Sequence, residues 1–126
     1  MFDVTVTTTI SASHHLRGYK GKCENVHGHN YRIRVTIEGE QLNSIGLLVD
    51  FVEMKRLMKE IIEYWDHKFI NDLPPFDEIN PTAENMAKWF FERMQEGLAN
   101  GVAEVPARIK EVKVWETDRN IATYHP

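Results

Sequence analysis

Two kinds of hydrophobic spacing divide the chain. From Phe2 to Ile10 apolar and polar residues alternate, with Val and Thr dominating, and this period of two with β-branched side chains predicts a first strand. The strand runs into Ser11-Ala12-Ser13-His14-His15 and then a loop containing Gly18 and Gly21, read as a solvated hairpin connection. Alternation returns from Asn30 to Glu38: Tyr31, Ile33, Val35 and Ile37 form one face, Arg32, Arg34, Thr36 and Glu38 the other. This second strand starts near His27-Gly28-His29. Gly46-Leu47-Leu48-Val49 reads as a short extended run into a helix, where Asp50 and Glu53 have the form of an N-cap and capping box. Phe51, Met54, Leu57, Met58, Ile61, Ile62 and Trp65 then recur at three- and four-residue steps as one buried stripe. The helix is expected to stop between Trp65 and Lys68, ahead of Asn71-Asp72 and Pro74-Pro75.

A second helix opens at Asn80-Pro81-Thr82 with Thr82 as cap, carries Ala83, Met86, Ala87, Phe90 and Met94 on its apolar face, and ends between Gly97 and Gly101. Arg108 to Thr117 alternates again, with Val112 and Val114 on one face. Asp118-Arg119-Asn120 is a turn, and Ile121 to Tyr124 a closing strand. The order β-β-α-α-β-β predicts an α+β fold: a four-stranded antiparallel sheet with both helices on one face. The opposite face, with Arg32, Arg34 and Thr36, then has no cover within the chain, and the open edges make an assembly surface.

At 126 residues the chain fits a single domain spanning 1–126, with one modest core. A net charge of −4 and the lack of a basic block argue against nucleic acid as a partner. The opening Met1 to Val6 has no charged segment followed by an apolar one, and no apolar run approaches membrane-spanning length. A single cysteine cannot form an internal disulfide. A cytoplasmic protein, not associated with membrane, is expected.

The candidate chemistry centres on residues 23–29. His27 and His29, two apart on a strand, share a face and can reach one metal ion. A third ligand comes from His14 or His15, because pairing of the first two strands brings that strand end beside the His27–His29 end. Three histidines with one open position make a catalytic rather than a structural zinc. Cys23 is either a small buried hydrophobe or, among Lys20, Lys22 and a nearby cation, a thiolate able to act as base or nucleophile. Asp66-His67 closes the first helix, where a histidine also simply complements the dipole. By alternation Glu116 shares the face of Val112 and Val114; it is either a buried acid awaiting N–H donors or an end-of-strand residue in water.

Several short motifs in fixed order resemble the 6-pyruvoyl-tetrahydropterin synthase/6-carboxytetrahydropterin synthase family. They are Ser11-Ala12-Ser13-His14, Cys23 with His27-Gly28-His29-Asn30, Gly46 with Asp50-Phe51, Asp66-His67 with Ile70-Asn71, Asn80-Pro81-Thr82 with Glu84-Asn85, and Val114-Trp115-Glu116-Thr117, covering Val4 to Tyr124. The resemblance implies a tunnelling fold, in which three sheets close into a barrel and two trimers stack as a homohexamer. It implies zinc on His14, His27 and His29, with Cys23 as general base. Asp66 and His67 complete a proton relay from a neighbouring subunit, and Glu116 anchors the pterin ring. The implied substrate is 7,8-dihydroneopterin triphosphate, and Arg17, Lys20 and Lys22 are candidate phosphate contacts.

Ile10 and Ser13 depart conservatively from the family's first motif. Glu24 matters more, because a branch of the family uses a glutamate three residues before the first metal histidine of the pair and forms 6-hydroxymethyl-dihydropterin. On an extended segment Cys23 falls on the histidine face and Glu24 off it, which favours the cysteine as base and Glu24 as the alternative. The expected product is therefore 6-carboxytetrahydropterin, on the deazapurine (queuosine) route, then the pyruvoyl product, then the hydroxymethyl one. From other classes, a non-catalytic zinc- or pterin-binding module would lack Cys23 or Asp66-His67, and a metal hydrolase would rely on Glu24.

Overall fold

The computed structural model describes residues 1–21 and 24–126. Strands β1 (Phe2–His14), β2 (His27–Gly39), β3 (Arg108–Trp115) and β4 (Ile121–Tyr124) lie in sequence order in one antiparallel sheet. Helices α1 (Phe51–Ile62) and α2 (Ala83–Gly97) are inserted between β2 and β3. The β-β-α-α-β-β order and the antiparallel sheet therefore stand as expected.

β1 and β2 pair along their whole length, from Phe2 opposite Gly39 to His14 opposite His27. Even residues of β1 and odd residues of β2 therefore share one face. That face is buried: Val6, Ile10, Tyr31, Ile33, Val35 and Ile37 join Met54, Met58, Met86, Phe90 and Met94 of the helices in one core. Complete burial of such a side chain contributes about 1.5–3 kcal/mol. A bulge in β3 between the partners of Thr36 and Ile37 shifts its alternation, so Ile109 and Val112 both reach the core.

Capping follows the sequence closely at one helix and less so at the other. The Thr82 side chain accepts from Asn85 N, and that of Asp50 from Val52 N. Glu53, however, pairs with Arg56 at 2.8 Å along the surface of α1. The helix stops at Ile62, three residues before Trp65, yet Trp65 remains fully buried because tight turns carry it down onto Phe76, Trp89 and Phe90. The run Gly46–Val49 is not extended. Asn43 accepts from Ile45 N and Leu47 N and its own N–H donates to Leu47 O, which folds the segment into a turn with Gly46 at φ 84°. Among the described residues no helix is long and apolar enough to cross a membrane.

Candidate metal centre and the cleft beside it

Beyond Ile10 and Tyr31 the buried face carries the small Ala12 and then polar side chains. His14, on β1, and His27 and His29, on β2, continue the buried face, so strand alternation aims all three rings at one point. Glu116, one residue past β3, continues the face of Val112 and Val114 and joins them. One ligand atom from each of the four residues lies within 4.8 Å of every other. Between His14 and His15 the choice falls on His14, which is fully buried; His15 turns outward and stacks on Phe69.

Hydrogen bonds fix which ring nitrogen is free. Nδ1 of His14 donates to Pro81 O at 2.7 Å, and Nδ1 of His27 to Asn25 O at 2.7 Å. A carbonyl only accepts, so both Nδ1 atoms carry the proton and both Nε2 atoms present lone pairs. Those lone pairs face each other at 3.0 Å. Among the described residues His29 Nε2 is buried without a hydrogen-bond partner, and Glu116 Oε1 stands 3.2 Å from it. Burial holds the pKa of His14 and His29 below the ordinary 6.5, against the opposing pull of the Pro81 carbonyl on His14 and of the Glu116 charge on both. Neutral imidazoles with converging lone pairs repel one another unless a cation lies between them. The donor set fits one divalent metal, and two nitrogens on a tetrahedral zinc would stand roughly 3.4 Å apart. Below the rings lies Tyr31, whose phenol is held well above its ordinary pKa by burial and then by Glu116.

The Pro81 carbonyl is itself held. Asn80 forms a two-way clasp with Arg17, accepting from its N–H and donating to its carbonyl, each at 2.9 Å. Asn85 Nδ2 donates to Asn80 O at 2.9 Å, while Asn85 N is the donor to the Thr82 cap. The motif Asn80-Pro81-Thr82 with Asn85 thus ties the start of α2 to the metal ligand on β1. The Arg17 guanidinium donates to the carbonyls of Ile79, Asn71 and Phe76, so it is a loop clamp rather than a phosphate contact.

Asp66 and His67 lie elsewhere. His67 N donates to Ser11 O, Ser13 N to Lys68 O, and Asp66 Oδ1 accepts from Ser11 N, so this segment lines the outer edge of β1. His67 Nδ1 is 3.1 Å from Asp66 Oδ1, and its side chain is 80% exposed. His67 also has a left-handed backbone, φ 59°, a strain not legible from the sequence and often found where function demands it. It faces a cleft of about 460 Å³ shared with Ser11, Ser13 and Asn30. Glu116 borders a different cleft, about 420 Å³, with Tyr19, Glu84 and Asn120 near the β4 edge. β1 and β2 stand between the two within one chain. Cys23 and Lys22 lie outside the described residues. Glu24 is exposed, and its N–H bonds Gly21 O at 3.2 Å; the strand-parity reading of Cys23 against Glu24 lies outside the described residues.

This sheet with its two helices is that of the pterin synthases, and the family model for 6-pyruvoyl tetrahydropterin synthase matches residues 3–126. The chain belongs to that family. It is 38% identical over 108 residues to human 6-pyruvoyl tetrahydrobiopterin synthase, covering 82% of this chain and 70% of that protein. It is 30% identical over 122 residues to 6-carboxy-5,6,7,8-tetrahydropterin synthase of Aquifex aeolicus, covering 82% of this chain and 75% of that one. The structure of Caenorhabditis elegans 6-pyruvoyl tetrahydropterin synthase superposes with a TM-score of 0.83 at 28% identity, covering 99% of this chain and 95% of that chain.

Proposed function

We propose that this chain is a zinc-dependent lyase acting on 7,8-dihydroneopterin triphosphate, with 6-carboxy-5,6,7,8-tetrahydropterin as product. The observation that carries this reading is the convergence of three histidine Nε2 positions beside a carboxylate that also borders a cleft. His14, His27 and His29 hold the zinc. Bound there, zinc supplies Lewis-acid polarisation of substrate oxygens. Glu116 accepts hydrogen bonds from pterin N–H groups, for which its position on the cleft wall suits it. Cys23, assigned by family resemblance, removes a proton from the substrate side chain. Asp66 orients His67 through Nδ1, leaving Nε2 to exchange the proton. Because β1 and β2 separate His67 from Glu116 in one chain, the relay comes from a neighbouring subunit of a hexameric, cytoplasmic enzyme.

The pyruvoyl product is the second reading, favoured by the identity with the human relative. Incubation of the pure protein with dihydroneopterin triphosphate, with products identified by mass, decides between them. 6-Carboxytetrahydropterin is expected; 6-pyruvoyl-tetrahydropterin would reassign the product, and unchanged substrate would remove the enzymatic reading.

A further inference from the structure

The sheet face turned away from the helices carries a charge pattern that the metal centre does not explain. Two rungs run across all four strands: Thr7, Arg34, Lys113 and Thr123, and beside it Thr9, Arg32, Trp115 and Ile121. Arg34 is the direct cross-strand partner of Lys113, and like charges in that position destabilise a sheet. Arg32 adds a third cation. Both guanidinium groups pack over the Trp115 ring, 4.3 Å for Arg32 and 4.8 Å for Arg34. This stacking satisfies their flat faces, and among the described residues neither guanidinium donates a hydrogen bond. Arg32 Nε is buried with no hydrogen-bond partner, and Lys113 Nζ bonds the Thr123 hydroxyl at 3.2 Å. Among the described residues, the ion pairs of Lys and Arg use Arg56, Arg93, Arg108 and Lys110 instead. Glu111, the carboxylate nearest along β3, stands opposite Thr36, and Glu38 and Asp3 are taken by Arg108 and Lys110.

From this pattern we infer that the face is a binding site for a phosphate-type anion, held by Arg34, Lys113 and the edge of Arg32, with the hydroxyls of Thr7 and Thr9 beside them. Guanidinium groups made rigid on an aromatic ring match phosphate oxygens pairwise, and an anion there converts the repulsive Arg34–Lys113 rung into an attractive one. A small anion fits better than nucleic acid, since the cluster is narrow and the whole chain carries a net charge of −4. The site is independent of the metal centre, whose residues lie on the opposite face.

Inorganic tripolyphosphate, titrated into the full-length zinc-loaded protein in phosphate-free buffer and followed by calorimetry, is the test. Saturable binding that weakens with added salt is expected, together with a rise in Tm. The double variant Arg34→Gln/Lys113→Gln should bind about tenfold or more weakly and lose the rise in Tm while keeping its fold. His27→Ala should retain the binding. No binding by the wild-type protein, or full binding by the double variant, overturns the site. So does loss in His27→Ala alone, which would put the anion at the metal centre.

Discussion

At the residue scale, Glu116 has two possible partners within reach, the metal cluster through His29 at 3.2 Å and whatever enters the cleft it borders. Glu116→Gln separates them. The expected outcome is about one zinc per chain retained, by elemental analysis, with pterin affinity down roughly ten- to hundredfold, the equivalent of a charge-assisted hydrogen bond. Loss of zinc with unchanged pterin affinity would make Glu116 a metal ligand. Asn85 poses a subtler question, since it reaches His14 only through Asn80 and the Pro81 carbonyl. Asn85→Ala should lower zinc affinity in a chelator competition, by less than the roughly ten- to hundredfold that loss of a metal histidine's own outer partner causes. The His14 Nδ1 signal in NMR should shift as that ring samples the other tautomer. An unchanged tautomer and affinity would reduce the Asn80–Asn85 pair to a helix cap.

At the element scale, α1 and α2 meet where Gly97 faces Leu57. A Cβ built on Gly97 would come within 2.5 Å of both Leu57 methyl groups, so the glycine is there for close approach rather than for any unusual φ. Gly97→Val should cost about 1–3 kcal/mol by overpacking, read as a lower midpoint in urea, and Leu57→Ala in the same chain should restore part of it. Such close approaches explain what the sequence leaves unreadable. Strand alternation put His27 and His29 on one face and Glu116 on the face of Val112 and Val114, because a period of two is local information; it left His14 and His15 open, and the choice of His14 came from the family resemblance. Alternation did not place Asp66-His67 against β1, because that pairing joins residues 55 apart through Ser11. The end of α1 was similarly obscured: Trp65 continues the apolar stripe in sequence, but turns rather than helix deliver it to the core. The Gly46–Val49 turn depended on Asn43, a residue outside the run itself.

At the scale of the whole molecule, the sheet has two unlike ends. The β1 edge carries Asp66 and His67, while the β4 side carries the cleft bordered by Glu116. His67 lies on the outer edge of β1 and shares its cleft with Gly28, His29 and Asn30 of β2, whereas Glu116 follows β3, two strand spacings of about 4.8 Å from β1, and borders the other cleft. Joining the first edge of one copy to the last edge of the next would be a heterologous contact, which makes a ring when its rotation closes and an open filament when it does not. In such a ring each complete site takes its metal cluster from one chain and its histidine relay from another. Mixing two inactive variants tests this directly. His67→Ala chains keep the metal cluster, and His27→Ala chains keep the relay. Co-refolded in equal amounts, they should recover about a quarter of wild-type activity, since half the chains offer each intact part and pairing is random. The mixture should also run as an oligomer in light scattering. If the mixture stays inactive while it assembles as the wild-type protein does and carries about half its zinc, the share of chains with an intact cluster, His67 serves the site of its own chain, and the relay across subunits is wrong.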